Sequence, residues 1–384
     1  MGKLRLTVWV MILVLLAACA PQGGKIENTP VYSSDNTVTE QSIETEPADS
    51  EPPNVSTDPM APNLVSMVKP IDKNVPDITA DSTEKANSNY TLYEDSENIY
   101  YLWKGNGLYT VSKSNGKATL ISGDCECFTV HNEQLYFVEN TDELKQYSTT
   151  ISSIKPIVDI GKQTNSIACS GNRIYYTCTA DIDSDEYSDI LFTSDLNGNN
   201  RIKLYDDVDT FCLYNNRVFS VTMGELGYIQ EYIPGDKGNR KELSSHVVYR
   251  NFDISFDRII CAEFRDDVFN CSNNLIYDVN TGQSKRLSID DPEFAVTGQY
   301  IIYISEDETG EEIIIKAYDF LADKEYALLN ISDFAGYYSI IIIHTTKDST
   351  YLSMENYRDN SLKICKLIIE NGQARLEHVA SIVG

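Results

Sequence analysis

The sequence predicts an all-β fold: a β-propeller of about seven four-stranded antiparallel blades, with six or eight as alternatives, preceded by a signal peptide and a disordered linker. Three observations predict it. One turn-and-strand pattern recurs seven times at spacings of 36 to 50 residues, a second hairpin sits inside most of those units, and composition changes abruptly near residue 90.

The first 18 residues read as a leader. Lys3 and Arg5 form a short positive region, and residues 6–17 (LTVWVMILVLLA) form an apolar run too short for a comfortable membrane span. Leu16-Ala17-Ala18-Cys19 resembles the lipobox of bacterial lipoproteins. The resemblance implies cleavage after Ala18 and lipidation of Cys19, which would hold the chain on the extracytoplasmic side of the cell membrane without spanning it.

Residues 19–89 read as a linker. Nine of the twelve prolines fall here, among Glu, Thr, Ser and Asp, and Tyr32 is the only aromatic residue of 20–89. Such a segment cannot bury enough apolar surface to offset its ordering entropy. As a flexible tether of about 70 residues it would reach on the order of 45–50 Å. The whole chain carries 58 acidic against 31 basic residues, a net charge of −27. That surface repels phosphate backbones and excludes nucleic acid as a partner.

The domain proper spans 90–384. Aligning its units on one register position places Asn98, Gln134, Arg173, Arg217, Arg258, Tyr300 and Thr350 in equivalent sites. One residue on come Ile99, Leu135, Ile174, Val218, Ile259, Ile301 and Tyr351. Six residues earlier stand Leu92, Phe128, Ile167, Phe211, Phe252 and Phe294. Period-two alternation on both sides of a short polar turn reads as a hairpin. A second hairpin follows in 107–121, 190–205, 275–287 and 362–379, where Asn115-Gly116, Asn197-Gly198 and Asn371-Gly372 suit two-residue turns. Four strands in about 40 residues, seven times over, make propeller blades, because radial packing covers both faces of each sheet. A self-contained first and last unit argues against an exchanged strand closing the ring.

At the repeat level, 91–384 resembles the lipoprotein-receptor-like or TolB-like propellers of extracellular bacterial proteins. The resemblance implies fold and leaves function open, since these propellers host many roles. Asp278-Val279-Asn280-Thr281-Gly282-Gln283 resembles a fragment of the quinoprotein propeller repeat, but the companion tryptophans are missing, so no quinone is expected.

In a propeller the turns between strands one and two, and three and four, share one face. These turns read as short and stereotyped here, whereas the other connections share the opposite face, vary in length and carry acids. The candidate binding face comprises Asp181, Asp183 and Asp185, Asp266 and Asp267, Glu306 and Asp307, and Tyr337 in the aromatic loop 330–338. Asp181, Asp183, Asp185 and Asp189 mimic the start of an EF-hand, but Glu186 and Phe192 stand where glycine and a bidentate acid are needed. No cofactor is expected, and calcium stays open only as a looser site. His131, His246, His344 and His378 lie in no known catalytic motif. The expected role is a non-catalytic binding or assembly module for a protein or a cell-envelope glycan. A hydrolase or lyase acting on polysaccharide or peptide, using acids such as Asp266 and Asp267, is the alternative. Eight cysteines follow Cys19. Cys169 and Cys261 replace core residues of sister units and Cys178 falls opposite about Asn165, so mostly free thiols are expected.

Overall fold

The computed structural model describes residues 69–76, 85–88 and most of 91–383, with breaks in connections, the longest at 180–188, 223–228, 233–239 and 265–270. All belong to one compact unit, Glu51–Gly384. Seven antiparallel sheets follow one another in chain order, each contributing four consecutive strands. Blade 1 begins at Leu92–Glu94 and blade 7 ends at Gln373–Val383. Each of the seven aligned register residues is the first residue of its blade's second strand.

The apolar core is not one mass but seven, each lying between two consecutive blades. Phe128, Leu135 and Phe137 of blade 2 meet Tyr100, Leu102 and Leu108 of blade 1. Leu352, Met354 and Cys365 of blade 7 meet Ile302, Ile315 and Ala317 of blade 6. The ring closes where Leu92, Ile99 and Tyr101 of blade 1 pack on Tyr351, Leu362 and Ile364 of blade 7. Among the described residues each blade is built from its own four consecutive strands, with none exchanged between blades 1 and 7. Polar contacts add to that seam: the Glu94 carboxylate accepts hydrogen bonds from Lys113, Thr346 and Tyr351. Each second strand is buried on both faces. Ile99, Tyr100 and Tyr101 are all within 1% of full burial, because blades stack on either side of it.

Connection geometry departs from expectation in two ways. Two-residue turns join the first and second strands in blades 2 to 6, such as Gly171-Asn172, Asn215-Asn216 and Phe256-Asp257. The third-to-fourth connections, expected to be equally uniform, run from two residues (371–372) to seven (233–239). Blades splay outward from the axis, so outer hairpins have room that inner ones lack. Of the Asn-Gly pairs, only Asn371 and Gly372 form a two-residue turn with both φ angles positive, at 54° and 76°. Around Asn197-Gly198 the Asp195 carboxylate accepts from the Asn197 and Asn199 amides, and this capped loop replaces the tight turn. Glycine is also required at 372 by packing: a Cβ there would lie 2.8 Å from the Lys73 carbonyl oxygen.

That contact exposes a further departure. Residues 69–76 and 85–88, which the composition places in the linker, lie on the propeller. Lys69–Pro70 pairs with the outermost strand of blade 6, and the Val75 amide donates to the Gly372 carbonyl of blade 7. Lys85–Asn87 pairs elsewhere, with the innermost strand of blade 4. Composition missed both because these pairings use backbone groups, which polar residues supply as well as apolar ones.

Among the described cysteines, Cys125, Cys127, Cys169, Cys178, Cys212, Cys261 and Cys365 are buried free thiols. Cys127, Cys169 and Cys178 share the core between blades 2 and 3. Among the described residues no helix is long and apolar enough to cross a membrane.

Candidate functional site: the axis and the variable face

The first strand of every blade lies nearest the axis. One edge of it pairs with the second strand, and the other edge faces the channel. Into this channel runs the segment Lys85-Ala86-Asn87-Ser88. It pairs antiparallel with Val208–Tyr214, matching Tyr214 with Lys85, Leu213 with Ala86 and Cys212 with Asn87. The Ser88 amide donates to the Phe211 carbonyl, and Ser88 Oγ lies 3.3 Å from Thr210 Oγ1 and accepts from the Phe211 amide. Ala86 packs into the core between blades 3 and 4.

Lys85 reaches past blade 4 to the next two blades. Its ammonium lies 2.9 Å from Asp253 Oδ1 on the first strand of blade 5, and 3.3 Å from the Val296 carbonyl on the first strand of blade 6. Asp253 is 7% exposed. Burial raises the Cys212 thiol, the nearby Asp253 charge adds to the rise, and Lys85 opposes it. Thr345 of blade 7 donates to the same Val296 carbonyl. Among the described residues a short extended segment thus lines the inner edge of blade 4 and is held also to blades 5 and 6.

His344 lies at the next step around the ring, in the first strand of blade 7. Its Nδ1 is 3.0 Å from Thr91 Oγ1, its Nε2 is 2.7 Å from Ser353 Oγ, and the edge of the Tyr101 ring packs on it. Burial lowers its pKa to about 3, so the imidazole stays neutral at any ordinary pH. Both nitrogens are committed to hydroxyls, which makes His344 a packing element between 91 and blade 7. His378 is bonded to Ser381 and His131 lies beside Asn132. His246 lies outside the described residues. The buried thiols are held neutral by desolvation, Cys365 at about 12, and are poor nucleophiles.

The opposite end of the ring carries the connections between second and third strands. They run from three residues in blades 1 and 2 to nine in blade 3, and the connection between blades 6 and 7 also has nine. Of the acids expected there, Glu306 ends the second strand of blade 6 and is exposed. Asp307 follows it and holds its own loop, accepting from Thr309 Oγ1 and the Glu312 amide. Asp181, Asp183, Asp185, Asp266, Asp267 and Tyr337 lie outside the described residues, as do Ala18 and Cys19. Asp189, the fourth acid of the calcium-like run, accepts from Thr179 and Asn165 within blade 3. Among the described residues no three His, Cys, Asp or Glu side chains converge as a metal site would require. Lys85, Asp253 and Ser88 were not legible as a site. The one available signal was Asp253 itself, an acid where the pairing places Tyr93, Thr129, Ala168, Cys212, Ala295 and Ile343 in the sister blades.

No protein-family model matches the chain, and no curated protein matches it. Solved structures share the fold at low identity. A prolyl endopeptidase is 12% identical with a TM-score of 0.54, over 78% of this chain and 50% of that one. The acylaminoacyl peptidase of Pyrococcus horikoshii is 10% identical with a TM-score of 0.50, over 76% of this chain and 52% of that one. TolB from Acinetobacter baumannii is 13% identical with a TM-score of 0.41, over 67% and 64%. The chain therefore spans about half the length of the two peptidases and less than two thirds of TolB. At these identities the likeness is one of fold alone.

Proposed function

We propose that this protein is a lipid-anchored extracytoplasmic lipoprotein whose propeller is a non-catalytic binding or assembly module for a protein or a cell-envelope glycan. Cys19 is the acylated residue, and residues after it hold the propeller near the membrane surface. One observation carries the binding role. The turns nearest the axis on one face stay within two to four residues, with two in each of blades 2 to 6, while the connections on the other face vary from two to nine residues around the ring. A scaffold that repeats while one set of connections varies is how propellers and other rigid folds set binding specificity. The charge of −27 favours a cationic or neutral partner over a polyanion.

Site-specific photo-crosslinking tests this reading. A photoreactive residue at Asp307, on the variable face, is compared with one at Phe256, on the uniform face. Both are placed in the anchored protein, and the purified protein is screened on an envelope-glycan array. Crosslinks to one partner from position 307 but not 256, or a saturable glycan hit abolished by changes on the 307 face, are expected. Crosslinking from position 256 alone, or neither capture nor glycan binding, contradicts it.

A further inference from the structure

We infer that the axial channel is a binding site for an extended polypeptide bearing a basic side chain, and that Lys85–Ser88 is its tethered occupant. This site is separate from the variable face and does not depend on the role proposed for that face. Three observations carry the inference. The segment is held as a peptide ligand is held, by strand addition to the free inner edge of blade 4, a mode that reads backbone and tolerates sequence. Its charged anchor is an ion pair: Lys85 on Asp253, with the Val296 carbonyl as second acceptor. Asp253 is the one acid at a position that six sister blades fill with neutral residues, so the repeat is broken where a cation sits. The segment itself is small and polar, and Ala86 is its only apolar contribution to the core.

A short polar strand with one charge anchor is a weak ligand in its own right. It stays because the chain is fixed on both sides. Residues 69–75 are bound to blades 6 and 7, and Thr91 is bonded to His344. Tethering of this kind gives an effective concentration on the order of millimolar. A partner segment with the same basic anchor and larger flanking side chains would compete for the same edge.

A labelled peptide with the sequence of residues 83–90 (TEKANSNY) is the probe, titrated against the full mature chain and followed by fluorescence anisotropy. The wild type should bind it weakly. The variant Ala86→Pro, whose segment loses the amide opposite Leu213 and is strained as a paired strand, should bind it at least about tenfold more tightly. Replacing the peptide's lysine by glutamate, or Asp253→Asn in the same host, should each weaken binding at least about tenfold. Binding indifferent to both charge changes overturns the cation site. A folded Ala86→Pro protein that binds no peptide overturns the polypeptide site. Lys85→Glu is a second way to disable the tethered occupant without touching the backbone. If it and Ala86→Pro both unfold the protein, the segment is part of the fold rather than an occupant, and the inference is wrong.

Discussion

Lowering the pH should destabilise this protein through His344, and the size of the effect can be worked out. The imidazole is buried and neutral, with a pKa lowered by burial to about 3 against 6.5 for the exposed side chain. Between those values the unfolded chain binds a proton that the folded chain does not, so stability falls as pH drops below 6.5 and the loss levels off near 3. Above 6.5 the contribution is fully present. From pH 7 to pH 5 a single such group costs about 2 kcal/mol, approaching the limit of about 1.4 kcal/mol per pH unit. The assay is urea unfolding at pH 7, 6 and 5 on the wild type and on His344→Gln, which retains hydrogen-bonding groups toward Thr91 and Ser353. Acids elsewhere titrate equally in both proteins and cancel in the difference. The wild type should lose about 2 kcal/mol more than the variant between pH 7 and pH 5. Equal pH dependence would show that His344 is solvated or paired with a charge, refuting the packing role assigned to it.

Further outcomes follow from other parts of the molecule. Glu94→Gln removes the charged acceptor that Lys113, Thr346 and Tyr351 share across the closing seam and should cost about 1.5–3 kcal/mol by urea unfolding. Burial raises the Glu94 pKa and these bonds more than offset it, so the net shift is downward. Its contribution is therefore present above the normal carboxylate range and lost as pH falls through the lowered value, a loss the variant should lack. Phe256 holds a positive φ of 48° in a two-residue turn, a conformation that bulky side chains resist. Phe256→Asn should raise stability by about 0.5–1 kcal/mol, and a lower melting temperature would contradict the strain. The Gln230 side chain is 1% exposed, and neither of its polar atoms has a hydrogen-bond partner among the described residues. Gln230→Met should stabilise the protein by about 1 kcal/mol, whereas destabilisation would indicate a bound water or ligand at the amide. Cys19→Ser should move the protein from the membrane to the soluble fraction, and continued membrane retention would overturn the lipid anchor.

The blades were legible because a propeller repeats its burial. Ile99 and its six equivalents occupy the same core position, and each is 1% exposed or less, so one pattern read seven times fixes the strand order. The turns were less legible, because Asn-Gly is compatible with several geometries and the choice fell to neighbours such as Asp195, whose carboxylate caps the longer loop. His344 could be placed on a strand, but its neutral buried state depends on Thr91 and Ser353, which lie 253 and 9 residues away. The axial segment was hidden for a different reason. Lys-Ala-Asn-Ser has no alternation and no β-branched residue, and what makes it a strand is the edge of blade 4 supplied by distant sequence.

The placement of that segment is the centre of the account, and hydrogen exchange measured residue by residue on the mature protein tests it most directly. The Ser88 amide, which donates to the Phe211 carbonyl, and the Ala86 amide, which faces Leu213, should exchange at least about a hundredfold more slowly than in the isolated 83–90 peptide. Protection at Ala86 and Ser88 together with Cys212–Tyr214 would match a strand added to blade 4. Exchange of Ala86 and Ser88 at the rate of the free peptide, with the blade strands still protected, would contradict the occupied axis.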